Sequence, residues 1–330
     1  MALQLLNVFM IAGLLAPAPR IDGVALSLYY ENPQKGMTFK KMVDEIADLG
    51  ASHVSILVQW SQKDTKSSLI QPHPKETPAD ALVSKVIRHA RSKGLKVMLF
   101  PILWVEERAI GDWRGTLKPE DPDAWWSAYN TFILHYAKLA QATGAVMFSI
   151  GSELGSMESE TARWRHLSAK VRGLFKGQLV YSANWDHYQH VTFWDAVDFI
   201  GMTAYYRLTM TKQPSLDELT ASWSRVRLQL LDWYEGQTKP LLFTELGYPS
   251  VDGAAMSPWD YTSAGERDLE EQRLCFEAFK RVWHGEERLS GVFFWNWWGP
   301  GDGLNTWYTL KGKPALKVVK SWMQTGRVQE

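Results

Sequence analysis

The chain has 330 residues, a formal net charge of zero and 45% hydrophobic residues, values typical of a globular protein with a large core. This neutral balance gives no electrostatic basis for binding nucleic acid or an anionic membrane surface. A single cysteine, Cys275, excludes an intrachain disulfide, and its place in a helical pattern indicates a small core side chain.

The first twenty residues have two interpretations. Residues 5–16 are an apolar run, and the Ala-Pro-Ala triplet that ends at Ala18 resembles the cleavage site of a secretory signal peptide. No Lys or Arg precedes the run, however, and Pro19 is unfavourable for cleavage. We expect residues 1–20 to be a signal peptide or leader, and the protein to be secreted or periplasmic, with a cytoplasmic protein as the alternative. The run is short for a membrane span, and no other segment approaches one, so no stable membrane span is expected.

From residue 21 onward, apolar runs alternate with amphipathic stretches. The apolar runs are short and almost continuous, which is typical of strands buried on both faces, and several amphipathic stretches end at a glycine, as helices do. Strands are predicted at 23–30, 53–60, 96–104, 145–153, 178–185, 198–206, 239–247 and 290–298. Helices are predicted at 38–50, 78–94, 121–144, 159–177, 215–236, 266–285 and 314–324, with a weaker helical stretch around 188–196.

Eight strand–helix alternations predict the fold class. They favour an α/β fold made of a single (β/α)8 TIM barrel over residues 21–330, rather than an open sheet. No linker or composition shift divides the chain. The longer connections at 61–77, 105–120, 248–265 and 299–313 all follow strands, so we expect them at the carboxyl-terminal face, where the active sites of such barrels lie.

Two glutamates stand where predicted strands end. Glu153 ends the fourth strand, and Glu245 ends the seventh. These strands are three positions apart around a closed barrel, so their ends can face each other across its mouth. Two carboxyl groups about 5 Å apart can hydrolyse a glycosidic bond with retention of configuration. The positions therefore predict a retaining glycoside hydrolase.

Aromatic residues are numerous near the predicted strand ends. The chain has 17 tryptophans, and an indole ring can stack on the apolar face of a sugar while its N–H donates to a hydroxyl. We therefore predict a sugar cleft lined by Trp60, Trp104, Trp185, Trp295 and Trp297, with Trp295 as a platform under the reacting sugar.

Other polar residues at strand ends suit a sugar site. Tyr29 lies at the end of the first strand, and Tyr205 at the end of the sixth, where its hydroxyl can hold a nucleophilic carboxylate ionised. Asn184 and Asp186 end the fifth strand, where they can bind sugar hydroxyls or turn the chain. Glu158 is instead expected to decorate the start of a helix, where acidic residues suit the helix dipole.

Several segments resemble a known family. The segments are SIGSELGSME (149–158), VYSANWDHY (180–188), LLFTELGYPS (241–250) and VFFWNWWG (292–299). They resemble the retaining (β/α)8 glycosidases that carry the acid/base on strand four and the nucleophile on strand seven. More narrowly, the chain resembles the β-mannanase type of glycoside hydrolase family 113 over roughly residues 23–325.

The resemblance implies roles for individual residues. Glu153 becomes the acid/base, with a raised pKa, and Glu245 the nucleophile, with a low pKa. Tyr205 lies beside Glu245, and Trp295 lies under the sugar in subsite −1. Ser152 stands where many members of the wider clan carry an Asn that binds the sugar 2-hydroxyl. The implied activity is that of an endo-β-1,4-mannanase, and action on another β-glycan is an alternative.

Other classes of protein fit the sequence less well. The eight histidines include no His-x-His pair for a metal hydrolase, and no phosphate-binding or dinucleotide-binding loop is present, so neither metal nor cofactor is expected. A non-catalytic carbohydrate-binding barrel and a scaffold barrel in a larger assembly remain as alternatives. The expected partner is a polysaccharide or oligosaccharide substrate.

Overall fold

The computed structural model describes residues 20–29, 34, 37–262 and 265–325. The predicted leader, except for its last residue, lies outside the described residues. The strands are β1 Ile21–Ser27, β2 His53–Gln62, β3 Lys96–Val105, β4 Met147–Ser152, β5 Gln178–Asn184, β6 Phe199–Thr203, β7 Leu241–Leu246 and β8 Leu289–Phe294. The helices are α1 Phe39–Asp48, α2 Asp80–Ser92, α3 Pro122–Thr143, α4 Thr161–Leu174, α5 Leu216–Tyr234, α6 Leu269–Trp283 and α7 Ala315–Thr325.

The strands close into one parallel barrel in sequence order, which confirms the predicted (β/α)8 fold. One helix of the ideal pattern is replaced. The weak stretch after β5 folds as two short 3-10 turns, Tyr188–His190 and Trp194–Ala196. Within the described part of the chain, no helix combines the length and apolar character needed to cross a membrane.

Local sequence signals explain where the helices begin and end. Ser215 caps α5 by accepting a hydrogen bond from the Glu218 amide, and the Glu218 side chain accepts one from the Ser215 amide in return. Asp121 caps α3, Pro122 occupies its first turn, and Gly144 ends it with a φ of 74°. These signals fix where α3 and α5 begin and where α3 ends.

The core has two layers, which follow from the alternation of side chains along each strand. The inner layer draws on every strand and on no helix, so it fills the barrel. It consists of Ile21, Ala25, Leu57, Met98, Phe100, Ile102, Met147, Val180, Phe199, Leu242 and Phe293. The larger outer layer joins the barrel to the helices and contains Cys275, which is fully buried as expected.

A glycine in β6 lets side chains of its two neighbouring strands meet inside the barrel. The Ser182 hydroxyl of β5 is hydrogen-bonded to the Thr244 hydroxyl of β7, although β6 runs between them. A Cβ at Gly201 would lie 2.4 Å from the Tyr181 carbonyl oxygen and 3.0 Å from Thr244 Cγ2. Gly201 therefore keeps open the barrel level just below the ends of β4 and β7.

This packing predicts that Gly201→Ala destabilises the protein. Because a backbone carbonyl cannot move aside easily, we expect a loss of about 1–3 kcal/mol in the free energy of unfolding. The control is Gly173→Ala in α4, where an added Cβ meets nothing within 4 Å and should stabilise the helix by about 0.5–1 kcal/mol. Urea unfolding of both variants checks this, and a Gly201→Ala protein as stable as the wild type would contradict it.

Candidate active site

The two glutamates meet at the carboxyl-terminal end of the barrel on either side of one threonine. Glu153 directly follows β4, and Glu245 lies in β7; they are 7% and 4% exposed. Thr203 is the β6 partner of Glu245 in the sheet register. Its hydroxyl donates to Glu153 Oε1 at 2.6 Å. Because Thr203 neighbours Glu245 in the sheet and contacts Glu153, and because the charge of Glu153 acts on Glu245, the two carboxyl groups lie close together.

The backbone at Glu153 adopts an unusual conformation. Its φ is 54°, in the left-handed region, which costs a residue with a Cβ about 1–3 kcal/mol. The Glu153 amide donates to the Ser182 carbonyl at 2.8 Å, and the Leu154 amide donates to the Tyr181 hydroxyl at 3.2 Å. These bonds turn the chain at the end of β4 and direct the Glu153 side chain towards Thr203.

Glu245 has one polar partner and one unpaired oxygen. The Tyr205 hydroxyl donates to its Oε2 at 2.9 Å, as the sequence predicts. No described residue forms a hydrogen bond with Oε1. Burial and, to a smaller extent, the negative charge of Glu153 raise the pKa of Glu245 to about 8, although Arg114 and the Tyr205 hydrogen bond act in the opposite direction.

The expectation that Glu245 has a low pKa is therefore wrong for the protein without substrate. The reason is that burial and a second carboxyl group outweigh the tyrosine hydrogen bond. A pKa of about 8 means that Glu245 retains its proton near neutral pH. Glu153, in contrast, accepts two hydrogen bonds, from Thr203 and Arg114.

Arg114 is the site residue that the sequence analysis did not identify. It lies on a 3-10 turn in the connection after β3, and its Nη2 donates to Glu153 Oε2 at 2.5 Å. Burial lowers the pKa of Arg114, but the charges of Glu153 and Glu245 outweigh burial and raise it. The arginine therefore supplies the positive charge that makes a buried carboxyl pair tolerable.

Three predicted sugar contacts lie beside this pair. The Asn184 side-chain oxygen accepts from Thr203 at 3.2 Å, and its amide donates to the exposed Asp186 at 2.9 Å. Burial raises the pKa of Tyr29, and the charges of Arg114 and Glu245 also act on it, so this phenol lies near both. Trp295 follows β8, is half-buried and packs against the inner core layer.

Two further predicted tryptophans lie at the barrel mouth. Trp104 is on the same face of β3 as the inner-layer residues, and the Arg108 guanidinium lies 4.7 Å from its ring centre. Trp185 stacks on Trp259 of the connection after β7, with ring centres 5.4 Å apart. Both rings are only partly buried, which leaves surface available for a ligand.

Two other tryptophans point away from the mouth, so their predicted role as sugar contacts is corrected. Trp60 stacks on Phe132 of α3, with ring centres 5.4 Å apart, because it belongs to the outer face of β2. Trp297 is 3% exposed, and its indole N–H donates to Glu45 of α1 at 2.8 Å. Both rings join the barrel to its helices.

Two polar residues near Glu153 are more buried than a surface role requires. Ser152 is 3% exposed, and its hydroxyl has no hydrogen-bond partner among the residues described, so its contact with sugar stays a prediction. Glu158 is not an exposed helix-start residue as expected. It is 1% exposed and accepts a hydrogen bond from the Tyr181 hydroxyl at 2.6 Å.

One group of carboxylates in the described ranges has the spacing of metal ligands: Asp252 and Asp268 of the connection after β7, and Glu271 of α6. Each of them already has a structural partner. Glu271 accepts from two backbone amides, Asp252 accepts from Lys212 Nζ at 2.7 Å, and Asp268 caps α6. These contacts hold the three carboxylates in place.

Comparisons with known proteins relate the chain to carbohydrate-active enzymes. The family model described as Glycoside Hydrolase Family 113 matches residues 29–301. The structure of the family 113 β-mannanase from Alicyclobacillus acidocaldarius is 27% identical, with a TM-score of 0.83, and the match covers 94% of this chain and 98% of that one. A second family 113 β-1,4-mannanase is 24% identical, with a TM-score of 0.82, and covers 93% and 99%. No curated protein matches the sequence.

A more distant match shares the fold alone. The β-glucuronidase from Faecalibacterium prausnitzii is 13% identical, with a TM-score of 0.61, and the match covers 94% of this chain but 49% of that one. The barrel described here is therefore common to enzymes with different substrates.

The raised pKa of Glu245 predicts how stability depends on pH. Above the ordinary pKa of 4.5, the unfolded chain releases a proton that Glu245 keeps in the folded protein. The contribution of Glu245 to the free energy of unfolding is therefore complete below pH 4.5 and is lost as the pH rises to about 8. Glu245→Gln cannot ionise, so its melting temperature should fall less than that of the wild type between about pH 5 and 8. Glu287 is exposed, so the melting temperature of Glu287→Gln should change with pH as that of the wild type does. If the melting temperature of Glu245→Gln falls as much as that of the wild type, the raised pKa of Glu245 is contradicted.

Proposed function

The chain belongs to glycoside hydrolase family 113, and on this basis we propose that it is a retaining β-1,4-mannanase with Glu153 as acid/base and Glu245 as nucleophile. The observation that supports this most directly is the pair of buried carboxyl groups beside Thr203. Retention requires carboxyl groups about 5 Å apart, whereas inversion needs a wider gap that admits a water molecule. A pair that brackets a single threonine suits the shorter distance.

The reaction has two steps. In the first, Glu245 attacks the anomeric carbon, the glycosidic bond breaks, and Glu153 gives its proton to the leaving oxygen. In the second, Glu153 takes a proton from water, and the resulting hydroxide attacks the anomeric carbon and releases Glu245. Tyr205 donates to Glu245 throughout, which favours the charged form of the carboxylate as nucleophile and as leaving group.

Substrate binding must change the protonation of Glu245 before the first step. In the free protein, the raised pKa of Glu245 keeps it protonated near neutral pH, and Arg114 and Thr203 both donate to Glu153. The reaction needs a charged Glu245 and a proton on Glu153. A sugar whose hydroxyls draw Arg114 away from Glu153 would free that carboxyl group to receive the proton from Glu245.

The residues around the carboxyl pair have roles in binding the sugar. Trp295 forms the platform beneath the reacting sugar, and Tyr29 and Asn184 lie close enough to the pair to bind its hydroxyls. Trp104 and Trp185 flank β4 on the neighbouring strands, so they stack on sugar units beyond Glu153, on the leaving-group side. Asp186 orients the amide of Asn184.

The choice of mannan rests on the most similar relative quoted above, a β-mannanase that aligns over nearly the whole of both chains. A non-catalytic sugar-binding barrel is the alternative. Two buried carboxyl groups side by side carry an electrostatic cost, which favours a catalytic site over one that only binds. One oxygen of Glu245 has no hydrogen-bond partner among the described residues. Nucleophilic attack gives that oxygen a function.

Reducing-sugar release from β-1,4-mannan, β-1,4-glucan and xylan tests this function. We expect mannan to be hydrolysed fastest, and Glu153→Gln and Glu245→Ala to lower that rate by about 10²-fold or more, because a proton donor and a nucleophile contribute at least this much. Glu107→Gln, which changes an exposed acid in the connection after β3, is the control with unchanged activity. Near-wild-type rates in either catalytic variant would refute the assignment.

A further inference from the structure

A buried carboxylate that the proposed chemistry does not use lies five residues beyond Glu153. Glu158 is 1% exposed, and the Tyr181 hydroxyl donates to its Oε1 at 2.6 Å. His187 Nδ1 is hydrogen-bonded to its Oε2. A carboxylate with both oxygens engaged in the protein interior has a fixed position, so it can orient the groups that it contacts.

Tyr181 connects this carboxylate to the backbone of the acid/base. Its hydroxyl donates to Glu158 and accepts from the Leu154 amide at 3.2 Å. A hydroxyl has a single proton, so donation to Glu158 turns its lone pairs towards that amide. The ring is fully buried and packs edge-on against both Trp164 and Phe193, with ring centres 4.9 Å away in both cases, so the hydroxyl cannot move far.

The amide that Tyr181 holds belongs to the turn that aims Glu153. The φ of 54° at Glu153 is sparsely populated and persists only where the surroundings enforce it. The bond from the Glu153 amide to Ser182 holds the turn on one side, and the bond from Leu154 to Tyr181 holds it on the other. Loss of the second bond would allow the peptide to rotate and the carboxyl group to shift.

We propose that Glu158 is a positioning residue that acts through Tyr181 to aim the carboxyl group of Glu153 at the leaving oxygen. The inference rests on the proposed function, because it assumes that Glu153 donates the proton. His187 anchors the second oxygen of Glu158 from the connection after β5. Hydrogen bonds therefore link His187 to Glu158, Glu158 to Tyr181, and Tyr181 to the amide that follows Glu153.

Two substrates that differ only in their leaving group test this role. An alkyl β-mannoside needs a proton from Glu153, whereas a dinitrophenyl β-mannoside has a leaving group that departs without one. In Tyr181→Phe and Glu158→Ala, we expect kcat/KM for the alkyl substrate to fall by about 10–100-fold, because a displacement of about 1 Å can cost this much. The value for the dinitrophenyl substrate should fall by less than about 3-fold, since its bond cleavage bypasses the misplaced acid.

Matched variants separate positioning from a general loss of structure. Tyr129 is also fully buried, and its hydroxyl donates to the Ile150 carbonyl of β4 at 2.9 Å, away from the Glu153 turn. Tyr129→Phe should therefore leave the ratio of the two kcat/KM values at the wild-type level. Glu158→Gln retains an oxygen that accepts from Tyr181, so it should restore most of the ratio lost in Glu158→Ala. If Tyr181→Phe does not fold, the two Glu158 variants provide the same test.

Equal losses on both substrates, or no loss, in the folded Tyr181 and Glu158 variants would overturn the inference. Glu153→Gln distinguishes this result from a failure of the proposed function. If Glu153→Gln loses activity selectively on the alkyl substrate and the positioning variants do not, only the role of Glu158 is removed. If Glu153→Gln shows no selectivity, Glu153 is not the acid, and the proposed function and the inference both fail.

Discussion

The pairing of β6 with β7 brings Thr203 alongside Glu245, and the Thr203 hydroxyl bonds to Glu153. The rest of the site depends on this contact, because it joins two carboxyl groups that are far apart along the chain. Closure of the barrel makes the contact possible by setting β4, β6 and β7 around one axis. Below it, Gly201 leaves room for the inner side chains of the neighbouring strands.

Burial of the two carboxyl groups determines the electrostatics of the site. Desolvation and the mutual repulsion of the two groups raise the pKa of Glu245, and Arg114 reduces the cost by placing a positive charge beside both. Glu245 therefore holds a proton near neutral pH, whereas nucleophilic attack requires its charged form. A bound sugar must change the protonation of Glu245 before the reaction can begin.

Different parts of the molecule were predictable from sequence to different degrees. The order of the strands and the positions of the two glutamates were predictable, because each apolar run ends at the barrel mouth. The predicted role of Trp60 was wrong because nearness to a strand end does not show which face of the strand a side chain is on. Trp60 is two residues after Val58, so both are on the outer face of β2. Arg114 and Glu158 could not be identified, since an arginine in a long connection and a glutamate before a helix resemble ordinary surface residues until the chain is folded.

The central claim is that Glu245 forms a covalent bond with the sugar. A 2-deoxy-2-fluoro-β-mannosyl fluoride tests it directly, because its good leaving group permits the first step while the fluorine slows the second. Mass spectrometry of the digested protein should show one fluoromannosyl group on the peptide that contains Glu245. A fully active protein with no label, or with the label on a different residue, would contradict the account.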